Sequence, residues 1–388
     1  MADFDVFLEA TKSIAKNICP LSDQIPSRLT KVNRYHEPRK ISRLDRTKTW
    51  AVAGLTLTGL WLSPLVSGAV FTNTPATTPA VLSDAVFAPT SFWYRPIPND
   101  APLHSHSSEF VAEFIRQKKT FYGTVSINLT AYASPVYVVP RDQPTVRIAQ
   151  WACFPQFGLD RSLAEQWSAV PLPPYAIPAA GSDSELTVYQ PSTDSIWEFW
   201  RMRKAGGQWE ACWGGQFKKA SQSDGRWPGI YGTTATGLPF LGGQVTAEEL
   251  RRGEIRHVIG ITLVETESYT KFSWPAKRSD GYNPQKALNR IPEGLRFRLD
   301  PTVNVDKLPM HPVGKTIAKA AQKYGFVVWD KGGAITLRSQ NPRSYTAAGL
   351  PDPYPSLFGK TQPYDILNGF PWDKLQFLPH DYGLNTRP

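Results

Sequence analysis

Metal-binding and redox side chains are scarce in this 388-residue chain, which has three cysteines, three methionines and six histidines. Cys19, Cys153 and Cys212 are too few for a disulfide framework. No C-x-x-C pair or His/Cys cluster has the spacing of a zinc site. Neither a metal nor a cofactor is expected. Cys153 and Cys212 either pair, if the body folds outside a cytoplasm, or stay as buried thiols. Glycine-rich phosphate motifs are missing too: no G-x-G-x-x-G or G-x-x-x-x-G-K-[ST] follows a strand pattern, which sets aside dinucleotide and phosphate-loop folds. No nucleophile elbow or H-E-x-x-H motif is present. The chain also lacks RNA-recognition, zinc-finger and helix-turn-helix patterns, so nucleic acid is not an expected partner.

What is abundant is turn-forming and aromatic. The chain has 35 prolines and 28 glycines, too many for a helical protein, together with 13 Trp, 15 Tyr and 19 Phe. Such compositions form β-sandwiches or barrels with long loops. The net charge is +10, and over half of it falls in residues 28–48, where basic side chains outnumber Glu37 and Asp45. That segment is either an ordinary solvated stretch or one drawn to a polyanion.

Residues 50–71, WAVAGLTLTGLWLSPLVSGAVF, carry no charge over 22 positions. The run is long enough to cross a bilayer as a helix, and the basic residues before it suit a cytoplasmic N-terminus. Ser67-Gly68-Ala69 resembles the end of a signal peptide. The alternatives are a membrane anchor, an export signal, or a buried segment of a soluble or virion protein. Residues 1–49 form a basic N-terminal segment that begins with a helical pattern ended by Pro20. Residues 72–90, rich in Thr, Ala and Pro, read as a linker. A β-sandwich body is expected over 91–345 and an aromatic, extended C-terminal wrap over 346–388.

In the body, strand patterns fall at 121–140, 145–154, 185–190, 196–204, 208–215, 255–265, 295–300, 326–330 and 334–340. Two helices interrupt them. Thr246 caps AEELRRGE, with Gly253 at its end. PVGKTIAKAAQKYG places Val313, Ile317, Ala320, Ala321 and Tyr324 on one face, and Gly325 stops it. The expected fold is mainly β: a jelly-roll or concanavalin-like sandwich with two short helical inserts, preceded by an N-terminal helix and an apolar segment.

The stretch TDSIWEFWRMRKAGGQWEACWGGQ, residues 193–216, places four tryptophans on one hairpin. A turn at Ala205-Gly206 or Gly206-Gly207 gives the same two faces. One carries Glu198, Trp200, Met202, Lys204, Trp209, Ala211 and Trp213. The other carries Trp197, Phe199, Arg201, Arg203, Gln208, Glu210 and Cys212, with an arginine opposite Glu210 in either register. Both faces hold rings and charge, whereas a half-buried strand separates them. Rings beside carboxylates and guanidinium groups suit a sugar, whose C–H face stacks and whose hydroxyls need polar partners; they also suit a protein interface or rings buried under a loop. Trp200, Trp209, Trp213, Trp197 and Arg201 are therefore the candidate substrate-binding residues.

Candidate catalysts are Glu198, Asp194 and His257. Two carboxylates can act as acid and base, or acid and nucleophile, in glycoside hydrolysis. Asp194 and Glu198 stand about 13 Å apart on an extended strand, too far to work alone, so a second acid such as Asp280 or Asp183 is required. His257 is expected mid-strand, on the face of Ile255 and Ile259. His104 and His106 form an H-x-H whose Pro and Ser neighbours favour a metal-free loop. Asn128-Leu129-Thr130 is a glycosylation sequon, meaningful only in a eukaryotic export route.

The segments YGTTATGLPFLGGQVTAEELRRGEIRHVIGI, PEGLRFRLDP and GKTIAKAAQKYGFVVWDKGGAI resemble a group of actinobacterial exported and phage-encoded proteins, over roughly residues 91–385. The resemblance implies an extracellular, cell-envelope or virion-displayed sandwich protein acting at a mycolic or glycan-rich envelope. It transfers no catalytic residue. The expected function is cell-envelope glycan binding, with glycan cleavage and a structural role in a phage tail or envelope as alternatives. The expected partner is envelope polysaccharide, with a membrane through residues 50–71 and homo-oligomer or virion contacts as further candidates.

Overall fold

The computed structural model describes residues 85–384. The expected N-terminal helix, the basic segment and the apolar stretch 50–71 lie outside the described residues. Among the described residues no helix is long and apolar enough to cross a membrane, and no group of His, Cys, Asp and Glu is arranged to hold a metal ion.

Among the described residues the fold is β-rich, with thirteen strands in three sheets and few helices. The largest sheet has six strands in the order Ser126–Asn128, Thr336–Arg338, Ile259–Leu263, Phe326–Lys331, Arg296–Leu299 and Leu375–Phe377. A four-stranded sheet runs Val136–Val138, Leu186–Gln190, Ser195–Trp200 and Trp213–Lys218. A three-stranded sheet runs Ala149–Gln150, Gln208–Ala211 and Arg203–Ala205. All three are mixed, each containing at least one parallel pair. Long proline-rich loops join short strands: within 121–140 only residues 126–128 and 136–138 are in strands.

Burial follows the sequence closely. Val136, Tyr189, Ile196 and Phe217 of the four-stranded sheet share one core cluster with Val327 and Trp329 of the six-stranded sheet. The opposite face of the six-stranded sheet is covered by Ser107–Thr120 and Pro312–Lys323, whose Phe114 and Ile317 join Phe297, Phe326 and Phe377. The strand Ser195–Trp200 is buried on both faces, Ile196 in one cluster and Trp197 and Phe199 in another. This double burial is why its sequence does not alternate.

Both expected helices form. Thr246 and Glu249 make a reciprocal capping box, and Gly253 ends the turn at φ 75°. The helix Pro312–Lys323 buries Val313, Ile317, Ala320 and Ala321 as spaced. The sequence reading missed the helix Ser107–Thr120, whose buried Phe110 and Phe114 stand one turn apart.

Two boundaries move. The packed body starts before Ser91, since Val86 and Phe87 are buried in the shared cluster. The tail is no outer wrap. Its Tyr354, Phe358, Ile366, Phe370, Trp372 and Phe377 belong to the main core, and Leu375–Phe377 is the edge strand of the six-stranded sheet.

Candidate functional site

The tryptophan hairpin folds in one register that crosses two sheets. Trp200 faces Trp213 in the four-stranded sheet, and Arg203 faces Glu210 in the three-stranded one. Ala205 faces Gln208, which fixes the turn at Gly206-Gly207. The expected arginine–glutamate pair is present at 2.5 Å. Between the two sheets the strand breaks at Arg201, which adopts φ 54°. A non-glycine residue in that region is uncommon, and the break re-aims the rings on either side of it.

At this break a cavity of about 970 Å³ opens. Trp200 and Trp213 line it, together with Trp151, Phe154 and Tyr231. The rings come in stacked pairs: Phe154 with Trp200 at 6.0 Å and 20°, and Trp213 with Tyr231 at 5.8 Å and 25°. Gly215 lets Tyr231 approach, and Gly214 lets the neighbouring strand approach. A Cβ at 214 would lie 2.0 Å from the Glu198 carbonyl oxygen, and one at 215 would lie 2.8 Å from the Tyr231 Cβ.

Six charged residues of the lining come from four separate chain segments. Asp183 and Glu185 precede the strand Leu186–Gln190. Arg278 and Asp280 sit on a loop, Asp330 lies at a register shift in the strand Phe326–Lys331, and Arg338 ends the strand Thr336–Arg338. Arg338 joins two of the acids, with Nη1 3.2 Å from Glu185 Oε1 and Nη2 2.7 Å from Asp330 Oδ2. Arg278 serves the backbone instead. It donates to the carbonyls of Ala235, Tyr231, Gly232 and Thr234 at 2.8–3.2 Å, and to that of Ile230, clamping the loop that carries Tyr231.

Burial dominates the electrostatics. It pushes the Glu185 carboxyl up to about 7 against the opposing pull of Arg338, and it raises Asp330 for the same reason. Behind the lining, Glu293 is fully buried and accepts a hydrogen bond from the Asp280 backbone N–H at 3.1 Å. Burial and the neighbouring Asp280 charge raise its carboxyl well above the usual range. Carboxyl groups poised between their charged and neutral forms near pH 7 are the raw material of acid–base chemistry.

A disulfide between Cys153 and Cys212 closes one wall. It ties the loop carrying Trp151, Phe154 and Asp160 to the residue just before Trp213. If the cavity takes a ligand, reducing this bond should loosen the wall and weaken that binding by about 10-fold, because a mobile wall must be ordered again at each binding event. Titrating the oxidised and reduced protein side by side checks this. Equal affinities would mean that the remaining contacts of Trp151 are enough to hold the loop.

The three expected catalysts are not among the lining residues, and each has a structural reason to be elsewhere. Glu198 is fully buried behind the wall, where it accepts hydrogen bonds from the Thr233 hydroxyl at 2.8 Å and the Phe240 N–H at 2.7 Å. Asp194 ends a 3₁₀ turn at φ 50°, and its carboxylate caps Ser221 through the backbone N–H at 2.9 Å and the hydroxyl at 2.8 Å. His257 precedes the strand Ile259–Leu263 and is not mid-strand; its Nε2 lies 3.1 Å from Glu249 Oε1, with both side chains buried. It anchors the capped helix Ala247–Arg252.

The expected binding residues divide. Trp200 and Trp213 line the cavity. Trp197 is sealed in the core with its indole N–H on the Gln166 carbonyl at 3.2 Å. Trp209 lies outside the cavity lining, half-buried beneath Lys204 Nζ at 4.7 Å. Arg201 stacks between Trp151 and Trp200, 5.4 and 5.3 Å from their centroids. Asp183 and Asp280, expected only as partners for another acid, are both in the lining. Glu185, Asp330, Arg278 and Arg338 were missed, and no local motif marks them.

Glu198 gives the fold a pH dependence of definite sign. Burial, with no cation paired to it, pushes its carboxyl up to about 7. A raised acid binds its proton more tightly folded than unfolded, so its contribution is complete below the unfolded value and lost as pH rises through the folded one. The loss between about pH 4.5 and pH 8 is roughly 3 kcal/mol for this group. Glu198→Gln, whose amide can still accept from Phe240 and donate to Thr233, should flatten that decline. Urea titrations at acid and alkaline pH measure it; an unchanged slope in the variant would refute the assignment.

No protein-family model, curated protein or solved structure matches the chain.

Proposed function

We propose that the cavity binds carbohydrate and that the protein recognises a cell-envelope polysaccharide, displayed outside the cell or on a virion. The observation that carries this reading is the pairing of two aromatic stacks, Phe154–Trp200 and Trp213–Tyr231, with buried carboxylates in one cavity. Ring faces offer platforms for the C–H face of a pyranose, and acids accept from its hydroxyls. The volume falls at the upper end of the roughly 300–1,000 Å³ of small-molecule sites. The disulfide supports an oxidising compartment. Packing of the four- and six-stranded sheets on a shared cluster supports the sandwich architecture, jelly-roll or concanavalin-like, that belongs to this reading. Retention of the protein on immobilised envelope polysaccharide, reversed by soluble fragments of it, is the expected result. Failure to bind any envelope glycan would remove the proposal.

A second reading, cleavage of the same glycan, is favoured by Glu185 and Asp330. Both are raised carboxyls in the lining that share one guanidinium, and glycoside hydrolysis requires one protonated and one ionised acid. Release of new reducing ends from bound polysaccharide distinguishes cleavage from binding alone.

A further inference from the structure

The acids of the cavity and the groups behind them are short of donors. Glu185 is 1% exposed, and its Oε2 has no hydrogen-bond partner within the protein. Asp280 Oδ1 and Glu293 Oε1 are also buried with no N–H or hydroxyl donor on them, and the two carboxyls pair with each other through the proton that the raised Glu293 holds. On the donor side only Arg338 Nε is in that position among the charged groups here. Leaving a buried acceptor without a donor is costly, more so when it is charged.

The charge balance points the same way. Asp183, Glu185, Asp280 and Asp330 line the cavity, with Asp160 at its aromatic side. Glu293 stands directly behind. Against them are Arg278, Arg338 and Lys331. Arg278 spends its donors on backbone carbonyls, and Arg338 divides its two Nη groups between two acids. The cavity is therefore acidic inside a chain whose net charge is +10. This local field favours a cation in the cavity, although the chain as a whole carries net positive charge.

We propose that the carbohydrate taken by this cavity carries a free amino group, held as an ammonium by the acids around Glu185 and Asp280 while its ring stacks on Trp213. This rests on the carbohydrate reading above and narrows it. An ammonium brings three donors and no acceptor, which matches an acceptor-rich floor. An N-acetyl group in its place brings a carbonyl oxygen toward carboxylates and loses the charge. A neutral hydroxyl supplies one donor, without the gain of a charge-assisted bond.

The pH dependence follows. A cation favours the ionised form of an acid it meets, so binding loses strength as Glu185 and Asp330, whose carboxyls burial raises to about 7, take up protons. At the alkaline end the ligand loses its own proton, near about pH 8 for an amine of α-amino basicity. The preference for the amino sugar therefore peaks around neutrality.

The test is calorimetric titration of the full chain with three tetrasaccharides: glucosamine, its N-acetylated counterpart and a neutral glucan. The glucosamine oligomer should bind at least about 10-fold tighter than either at neutral pH, and its advantage should shrink toward about pH 5. Glu185→Gln and Asp280→Asn should each reduce that advantage at neutral pH. If Glu185→Gln fails to fold, Asp280→Asn carries the test alone. Equal or tighter binding of the N-acetylated or neutral oligomer, or an advantage that is the same at both pH values, overturns the amino-sugar assignment and leaves the carbohydrate reading standing. Binding of none of the three overturns the amino-sugar assignment, and the carbohydrate reading falls with it if the protein is also not retained on envelope polysaccharide.

Discussion

Replacing Trp213 by alanine should weaken binding of envelope polysaccharide by about 30-fold, a loss of about 2 kcal/mol typical of a central aromatic anchor. Trp213 is half-buried, so one part of its ring is held by the fold while the rest faces the cavity. Its partner Tyr231 is fixed from behind by the loop that Arg278 clamps. Alanine removes the platform and frees Tyr231 to turn into the space. Trp209→Ala is the matched comparison, because Trp209 stands on the same hairpin but outside the cavity lining. It should leave affinity within about 2-fold, as expected for a side chain remote from the ligand. Similar losses in both variants would place the binding surface on the hairpin's outer part, away from the cavity.

Phe377→Ala should destabilise the fold by about 3–5 kcal/mol, the usual range for a buried phenylalanine. Phe377 is fully buried, stacks on Phe297 at 4.6 Å and 26°, and meets Phe110 at 5.4 Å. Its strand pairs with Arg296–Leu299, so the cavity left by truncation opens between a sheet and the helix Ser107–Thr120. Thermal unfolding should shift down by roughly 10 °C. A tail that merely wrapped the surface would respond within about 0.5 kcal/mol, so a small shift would return residues 346–388 to that role.

The parts of the fold that were legible are those with local causes. The capping box at Thr246 and the amphipathic helix after Pro312 follow from spacing alone. The hairpin's register followed from its Gly-Gly turn, and both candidate turns gave the correct faces. The strand Ser195–Trp200 was harder, since burial on both sides erases the alternation that separates inside from outside. His257 was placed mid-strand because Ile255, His257 and Ile259 alternate; the ladder starts only at Ile259, and the histidine belongs to the capped helix. Glu198 is a carboxylate among rings, yet it is fully buried behind the lining, bonded to Thr233 and Phe240 of the wall. The acids that do line it reside in loops and turns, just before a strand and at a register shift, far apart in sequence. Their meeting depends on how three sheets join, which no local pattern encodes.

Determining where an envelope-derived oligosaccharide sits in a crystal of the protein is the most direct check. A sugar ring lying against Trp213 and Trp200, with its polar groups toward Glu185 and Asp280, is the result predicted. A sugar bound elsewhere with the cavity unchanged would contradict it.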